Sequence, residues 1–198
     1  MVILWQGSNG VFLVQIINGK LQQARQVASP NCDERPDARD ISLLVIHNIS
    51  LPPDNFDPAT HYVEQFFTNQ LPIGEHPFFK EIKDLRVSAH LYIRRSGEVV
   101  QFVNLNQRAW HAGVSEFEGR SACNDFSMGI ELEGNDVEAY TNSQYTALAS
   151  VTKAMLLEYH LLTPERITGH CDIAPGRKTD PGQSFEWSRY ARLLKEDG

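Results

Sequence analysis

Histidine is the residue type whose placement in this chain most favours chemistry. Seven histidines are present, and His47 and His170 each end an apolar segment and enter a stretch rich in polar and turn residues. Functional residues often lie where a rigid strand meets a loop. Taken singly, either histidine is still more often a structural residue than a ligand. Four others are expected to be solvated or hydrogen-bonded structural residues: His61, His76, His90 and His160.

The segment 169–182, GHCDIAPGRKTDPG, adds a lysine and a carboxylate to His170. Pro181 disfavours helical backbone at Asp180. In extended backbone, residues two apart share a side, so Lys178 and Asp180 are expected to project together. A weak surface ion pair is one interpretation. The other is a metal site, because two neutral imidazoles and one carboxylate are a common ligand set for catalytic zinc, whereas magnesium and calcium prefer more oxygens.

The segment 128–134, MGIELEG, supplies two further carboxylates. In a strand, Glu131 and Glu133 face the same side. One interpretation is the solvent-facing edge of a strand. The other is that one glutamate lines a cleft, has a raised pKa and carries protons during catalysis. The spacing alone does not decide between them.

Hydrophobic patterning predicts the elements that must position these side chains. Residues 41–50, ISLLVIHNIS, form an apolar run typical of a central strand covered on both faces. The other predicted elements are either a small hairpin with its turn at Gly7 to Gly10 or a poorly ordered extension in residues 1–20, a short helix at 60–69, a strand pair at 86–94 and 98–104, a strand at 128–133, a helix at 143–160, a short strand at 167–170, a loop at 171–183 and a helix at 184–196 with Ser184 as N-cap. Together they predict a single α+β domain with a central mixed β-sheet flanked by α-helices.

Composition restricts the partners and the compartment. The 198 residues include 18 basic and 25 acidic side chains, a net charge of −7 that disfavours binding to nucleic acid or an anionic membrane. Three widely spaced cysteines without a CxxC pair fit a reducing compartment. No apolar run approaches the roughly 20 residues of a membrane helix, and no signal-peptide pattern is evident. We therefore expect a cytoplasmic protein with no nucleic-acid or membrane partner.

Five segments, taken in order, closely resemble the zinc-dependent N-acetylmuramoyl-L-alanine amidases, which share the peptidoglycan-recognition fold. They are LLVIHNISLPP, LRVSAHLYIRRSGEVVQFV, RAWHAGVS, CNDFSMGIELEG and GHCDIAPGRKTDPG. Within this family the chain is most similar to the cytoplasmic type that acts on 1,6-anhydro-N-acetylmuramyl peptides. The resemblance runs from about Leu21 to about Tyr190. It implies a zinc amidase domain over residues 21–198 and an N-terminal extension of unknown role over residues 1–20.

The resemblance also implies roles for particular residues. One Zn²⁺ per chain would be held by His47, His170 and Asp180, with Glu131 handling protons and Lys178 as the positive partner. Substrate contacts are implied at Asn48, Arg86 and Trp110. The last motif departs from relatives at Asp172 and Gly176, where Asn and Glu are frequent. Neither is a ligand position.

The implied reaction is zinc-dependent hydrolysis of the amide between the lactyl group of (1,6-anhydro-)N-acetylmuramic acid and L-alanine, in the recycling of cell-wall muropeptides. The expected partner is an anhydromuramyl-peptide substrate, and the expected state is a monomer. Three alternatives come from other classes, and the ordered motif set disfavours the first, a plain structural or partner-binding domain. An exported amidase that cuts polymeric cell wall would need an export signal. A non-catalytic peptidoglycan-binding module would have no need of Glu131.

Overall fold

The computed structural model describes residues 3–7 and 10–196. The hairpin predicted near the start of the chain is present as an antiparallel pair of strands, Ile3–Gly7 and Gly10–Val14. Its predicted turn includes residues 8 and 9, which lie outside the described residues. The division at residue 20 stays a prediction. A small strand pair joins Ile16–Ile17 to Lys20–Leu21 across that boundary.

The described residues form strands, α-helices and two short 3-10 helices, at Cys123–Asp125 and Pro164–Arg166. The strands are β1 (Ile3–Gly7), β2 (Gly10–Val14), β3 (Ile16–Ile17), β4 (Lys20–Leu21), β5 (Arg25–Gln26), β6 (Cys32–Asp33), β7 (Leu43–Ile49), β8 (Leu91–Ile93), β9 (Val99–Gln101), β10 (Arg108–Ala109), β11 (Glu116–Phe117), β12 (Arg120–Ser121), β13 (Ser127–Glu133) and β14 (Ile167–Gly169). The α-helices are α1 (Tyr62–Phe67), α2 (Pro77–Ile82), α3 (Asn142–Glu158), α4 (His170–Ile173) and α5 (Trp187–Lys195).

A six-stranded mixed sheet forms the centre, in the order β14-β7-β13-β8-β9-β5. The strands β14, β7, β13 and β8 are mutually parallel, while β9 is antiparallel to β8. Strand β7 lies between two parallel neighbours in a sheet covered on both faces, which explains the continuous apolar run at residues 41–50. The predicted α+β class with a central mixed sheet flanked by helices is confirmed.

The sheet buries its two faces against different elements. On one face, Leu44, Ile46 and Ile130 pack with side chains of α3 and α5. Helix α3 begins at a capping box, in which Thr141 and Gln144 satisfy each other's backbone N–H groups. On the other face, Leu43 and Val45 pack against the loop before β13 and against α4, while a separate cluster covers Tyr92 with α1 and α2. Side chains on this second face build the site described below.

Three sequence expectations need correction. Helix α5 begins at Trp187, and its N-cap is Glu186, which makes no side-chain cap bond, rather than Ser184. The predicted strand 86–94 is confined to β8, because Ser88 bonds instead to the backbone of Trp110. The loop at 171–183 contains the short helix α4. Among the described residues, no helix is both long and apolar enough for a membrane span.

Candidate active site

Strands β7 and β13 place a histidine beside a glutamate. The two strands are parallel, and their register pairs His47 with Glu131, while Glu131 pairs with Tyr92 on the other side. Paired residues of neighbouring strands point to the same face. His47 is 1% exposed and Glu131 is 9% exposed. The carboxyl ends of the parallel strands therefore bring these two polar side chains into the interior of one face.

His170 and Asp180 reach the same place from the loop after β14. His170 is the first residue of α4, and the carboxylate of Asp172 accepts hydrogen bonds from the backbone N–H of Gly169 (2.9 Å) and the hydroxyl of Thr168 (3.0 Å). The N–H of Cys171 donates to the carbonyl oxygen of Asp180 at 2.9 Å. These bonds fix both ends of the segment. Asp172, a departure from the family motif, acts here as a helix cap.

Three donor atoms of these residues converge. Nδ1 of His47 lies 2.9 Å from Nδ1 of His170, and each nitrogen lies 3.0 Å from Oδ2 of Asp180. A tetrahedral zinc ion with bonds of about 2.0–2.1 Å would hold its ligand atoms about 3.3 Å apart. Two nitrogens and one carboxylate oxygen also form a donor set that a borderline metal such as zinc accepts. The cluster therefore fits a metal ion in both spacing and donor chemistry.

The surroundings keep His47 and Asp180 in the protonation states that metal binding requires. Burial lowers the pKa of His47 to about 4, against the opposing effect of its hydrogen bond with Asp180. Burial alone would raise the pKa of Asp180, but its hydrogen bonds with His170 and His47 hold that pKa below the usual range. At neutral pH His47 is thus a neutral imidazole and Asp180 a carboxylate, both of which are metal ligands.

The two glutamates of β13 have different environments, although both are buried. Oε2 of Glu133 accepts the backbone N–H of Arg95 at 2.7 Å and lies 3.9 Å from Nε of Arg94. Oε2 of Glu131 has no hydrogen-bond partner among the described residues. Burial, followed by the nearby charge of Asp180, raises the pKa of Glu131 well above its ordinary value. The solvent-facing alternative for this pair is therefore wrong, and Glu131 is the one suited to carry protons.

A cleft of about 550 Å³ adjoins the cluster at Asp180. Both apolar side chains and polar groups line the cleft. The lining includes Asn48, Phe66, Phe78, Asp136, Lys178 and Asp180. Asn48 donates from Nδ2 to Oδ1 of Asp136 at 2.9 Å, so its amide is fixed at the cleft wall. The exposed Lys178 lies at the same opening.

The other two predicted substrate contacts lie elsewhere. Arg86 is exposed and donates to the carbonyl oxygens of Lys83 and Leu85. Trp110 donates from Nε1 to the carboxylate of Asp33 at 3.2 Å. Neither residue is part of this cleft's described lining. Their roles stay predictions.

Two residues near the cluster were not singled out from the sequence. Nδ1 of His111 lies 2.9 Å from Nε2 of His47. Arg177 donates to the carbonyl oxygens of Ala112 (2.7 Å) and Val114 (2.6 Å), which joins the loop after β10 to the loop that carries Asp180. The sequence feature that could have pointed to His111 was the segment RAWHAGVS, in which His111 directly follows Trp110.

Comparison with known proteins agrees with this geometry. Residues 37–183 match the family model described as N-acetylmuramoyl-L-alanine amidase. The 1,6-anhydro-N-acetylmuramyl-L-alanine amidase AmpD of Haemophilus influenzae is 52% identical, over 91% of this chain and 97% of its own length. A crystal structure of AmpD has a TM-score of 0.87 at 52% identity, covering 90% of this chain and 98% of that chain.

A more distant structure carries a bound substrate. The amidase AmiD of Escherichia coli was solved in complex with anhydro-N-acetylmuramic acid-L-Ala-D-gamma-Glu-L-Lys. It is 26% identical to this chain with a TM-score of 0.58, and the match covers 96% of this chain and 65% of that chain. The likeness therefore extends to an enzyme seen with a muropeptide.

Proposed function

The chain belongs to the N-acetylmuramoyl-L-alanine amidase family, as an enzyme of the AmpD type, and from this we propose that it hydrolyses 1,6-anhydro-N-acetylmuramyl peptides in a zinc-dependent reaction. The bond cut is the amide between the lactyl group of the anhydro sugar and L-alanine of the stem peptide. The products are the anhydro sugar acid and the free peptide. This assignment places the protein in the recycling of cell-wall fragments.

His47, His170 and Asp180 would hold one zinc ion. Support comes from their three donor atoms, which all lie within 4.8 Å of one another. When bound, zinc would polarise the scissile carbonyl and lower the pKa of water toward ~7. Two neutral imidazoles with one carboxylate leave a coordination position for reactants, as in other catalytic zinc sites.

Glu131 would carry the proton of the reaction. Its carboxylate lies beside His47 in the sheet and has an unpartnered oxygen. A group whose pKa is raised by burial accepts a proton at Oε2 from the attacking water and returns it to the leaving nitrogen of L-alanine. Oε2 is available for both transfers because no other side chain occupies it among the described residues.

Lys178 would stabilise the negative charge that develops on the former carbonyl oxygen. Its ammonium lies on the cleft wall, two residues before Asp180. A positive donor at that position is a preorganised electrostatic element of the kind that lowers acyl-transfer barriers. The adjoining cleft would hold the remainder of the muropeptide, with Asn48 among the residues that line it.

The proposed compartment is the cytoplasm. Cys32, Cys123 and Cys171 are all free thiols, which fits a reducing environment. The expectation of a monomer stays a prediction.

The observation that carries the proposal is the convergence of His47, His170 and Asp180 beside the unpartnered Glu131. The test is a mass-spectrometric assay of the purified chain with an anhydromuramyl-tripeptide. Release of free tripeptide and anhydro sugar, abolished by a chelator and restored by zinc, is the expected result. The zinc-loaded Glu131→Gln variant is the matched control and should leave the substrate intact. Intact substrate with the zinc-loaded wild type would favour a peptidoglycan-binding module instead.

A further inference from the structure

Behind the metal-ligand cluster, the chain contains a row of three polar side chains. Nε2 of His47 lies 2.9 Å from Nδ1 of His111. Nε2 of His111 in turn lies 3.2 Å from the hydroxyl oxygen of Ser127. The row begins on the ring nitrogen of His47 that faces away from Asp180 and His170, and it ends on the first residue of β13.

A metal ion on Nδ1 of His47 would fix where the proton of each ring in this row lies. A neutral imidazole carries one N–H and one bare nitrogen. If Nδ1 of His47 is to bind a metal ion it must be bare, so the proton lies on Nε2 and is donated to Nδ1 of His111. The proton of His111 is then on Nε2 and is donated to Ser127. Each imidazole ring then donates one hydrogen bond within the row, and both hydrogen bonds form without a charged side chain.

We propose that His111 is a positioning residue that holds His47 in the tautomer and orientation required for zinc binding through Nδ1. This inference rests on the proposed zinc amidase function. His170 is held differently, since its Nε2 lies 3.1 Å from the backbone carbonyl oxygen of Ala112. Acceptors of this outer kind generally orient a ligand histidine, and their loss weakens metal binding about 10–100-fold.

The strand under the ring is shaped for this arrangement. A Cβ atom at Gly129 would lie 2.6 Å from Cγ and Nδ1 of His111, so only glycine leaves room for the imidazole. Ser127, Gly129 and Glu131 alternate along β13 and therefore share one face. One strand thus carries the terminal acceptor of the row, the space for its central ring and the proposed proton carrier.

The test compares zinc affinity among full-length variants by competition with a chromophoric chelator. His111→Phe fills the ring space without an acceptor, and we expect zinc to bind about 10–100-fold more weakly. In His111→Gln the side-chain oxygen can accept from His47 while its amide donates to Ser127. That variant should keep zinc affinity within about threefold of the wild type, as a neutral acceptor restores the row.

A control separates positioning from general destabilisation. Thr152 is fully buried and bonds to the hydroxyl of Tyr190 at 2.6 Å, between α3 and α5. Thr152→Val should lower the unfolding temperature of the metal-free protein without changing zinc affinity. Wild-type zinc affinity in His111→Phe would overturn the inference, and so would equal weakening in His111→Gln and His111→Phe.

A second measurement needs no variant. Imidazole ¹H–¹⁵N correlation spectra of the zinc-loaded wild type should show His47 and His111 as Nε2–H tautomers. An Nδ1–H tautomer at either residue would contradict the inference. Failure of the wild type to bind zinc at all would instead refute the proposed function.

Discussion

Exchanging each buried glutamate of β13 for glutamine should have opposite effects on stability and unequal effects on turnover. Glu131 and Glu133 are two residues apart, both are buried, and both lie on the same face of the sheet. They differ in their partners. Glu133 accepts a hydrogen bond from the backbone of Arg95, whereas Oε2 of Glu131 has none among the described residues. Each substitution is therefore the matched control for the other.

Glu131→Gln should stabilise the metal-free protein at neutral and higher pH. Folding raises the pKa of Glu131 above its ordinary value of 4.5, chiefly through burial. The native state thus binds its proton more tightly than the unfolded chain, and the wild type loses stability as pH rises from 4.5 through the folded pKa. Glutamine does not titrate. The free energy of unfolding of the variant should exceed that of the wild type by about 1–3 kcal/mol at pH 8, the usual penalty for an unsatisfied buried polar group.

The same variant should lose about 10²–10⁴-fold in turnover, because a positioned general base supplies that factor. Glu133→Gln should instead destabilise the protein. Removing the charge that accepts the backbone N–H of Arg95 and lies near the guanidinium of Arg94 should lower the free energy of unfolding by about 1–3 kcal/mol, the value of hydrogen bonds to charged groups. Its turnover should fall far less than that of Glu131→Gln, because Glu133 is already engaged by Arg95.

The assay is denaturant unfolding of both metal-free variants at pH 5 and pH 8, with zinc content and turnover measured on the loaded proteins. The stability gap between Glu131→Gln and wild type should widen from the lower to the higher pH. A gap that narrows with pH, or a loss of stability in Glu131→Gln at pH 8, would refute the burial argument. Normal turnover in that variant would remove Glu131 from the mechanism.

Further predictions concern the metal ligand His47 and the segment that carries His170 and Asp180. Lys178→Ala should reduce kcat about 10²–10³-fold while zinc content by atomic absorption stays at the wild-type level, because the lysine acts on the oxyanion; full activity would exclude that role. His47→Ala should lose zinc and turnover together, and retained zinc would remove it from the ligand set. Asp172→Ala should lower the free energy of unfolding, measured with denaturant, by about 1 kcal/mol, because the hydrogen bond from the N–H of Gly169 is lost. Asp172→Asn should retain most of the wild-type stability, since its side-chain oxygen can still accept that bond. Equal losses of stability in the two variants would contradict the capping role.

The elements that carry the site were predictable because local pattern and tertiary position agree. The apolar run at 41–50 becomes β7, a strand with parallel neighbours on both sides. Residues 128–133 lie within β13, and residues 143–160 contain most of α3. Pairing of β7 with β13 follows from no pattern in the sequence. It is this register that brings His47 and Glu131 together.

Other features depend on contacts between distant segments and could not be predicted. Alternation along the strand places Glu131 and Glu133 on the same face. It does not predict that Arg94 and Arg95, in the turn after β8, contact Glu133 and leave Oε2 of Glu131 without such a partner in the described part of the chain. His111 follows β10 in a segment whose residues predict a loop, and its partner His47 lies 64 positions earlier in the sequence. The start of α4 at His170 depends on the side chain of Asp172, which a pattern of turn residues does not reveal.

The site gathers groups that are individually unfavourable in a protein interior. Within the part of the chain that the structure describes, one carboxylate oxygen of Glu131 lacks a partner, and the Nδ1 atoms of His47 and His170 approach to 2.9 Å with a carboxylate oxygen beside them. The outer nitrogens of both rings have hydrogen-bond partners. Nε2 of His47 lies 2.9 Å from Nδ1 of His111, and Nε2 of His170 lies 3.1 Å from the carbonyl oxygen of Ala112. The inner nitrogens of both rings and Oδ2 of Asp180 therefore meet at one interior location, while the outer nitrogens are held by their own partners. A cation there would bind a set of donor atoms that folding already assembles, so folding and metal binding favour the same arrangement.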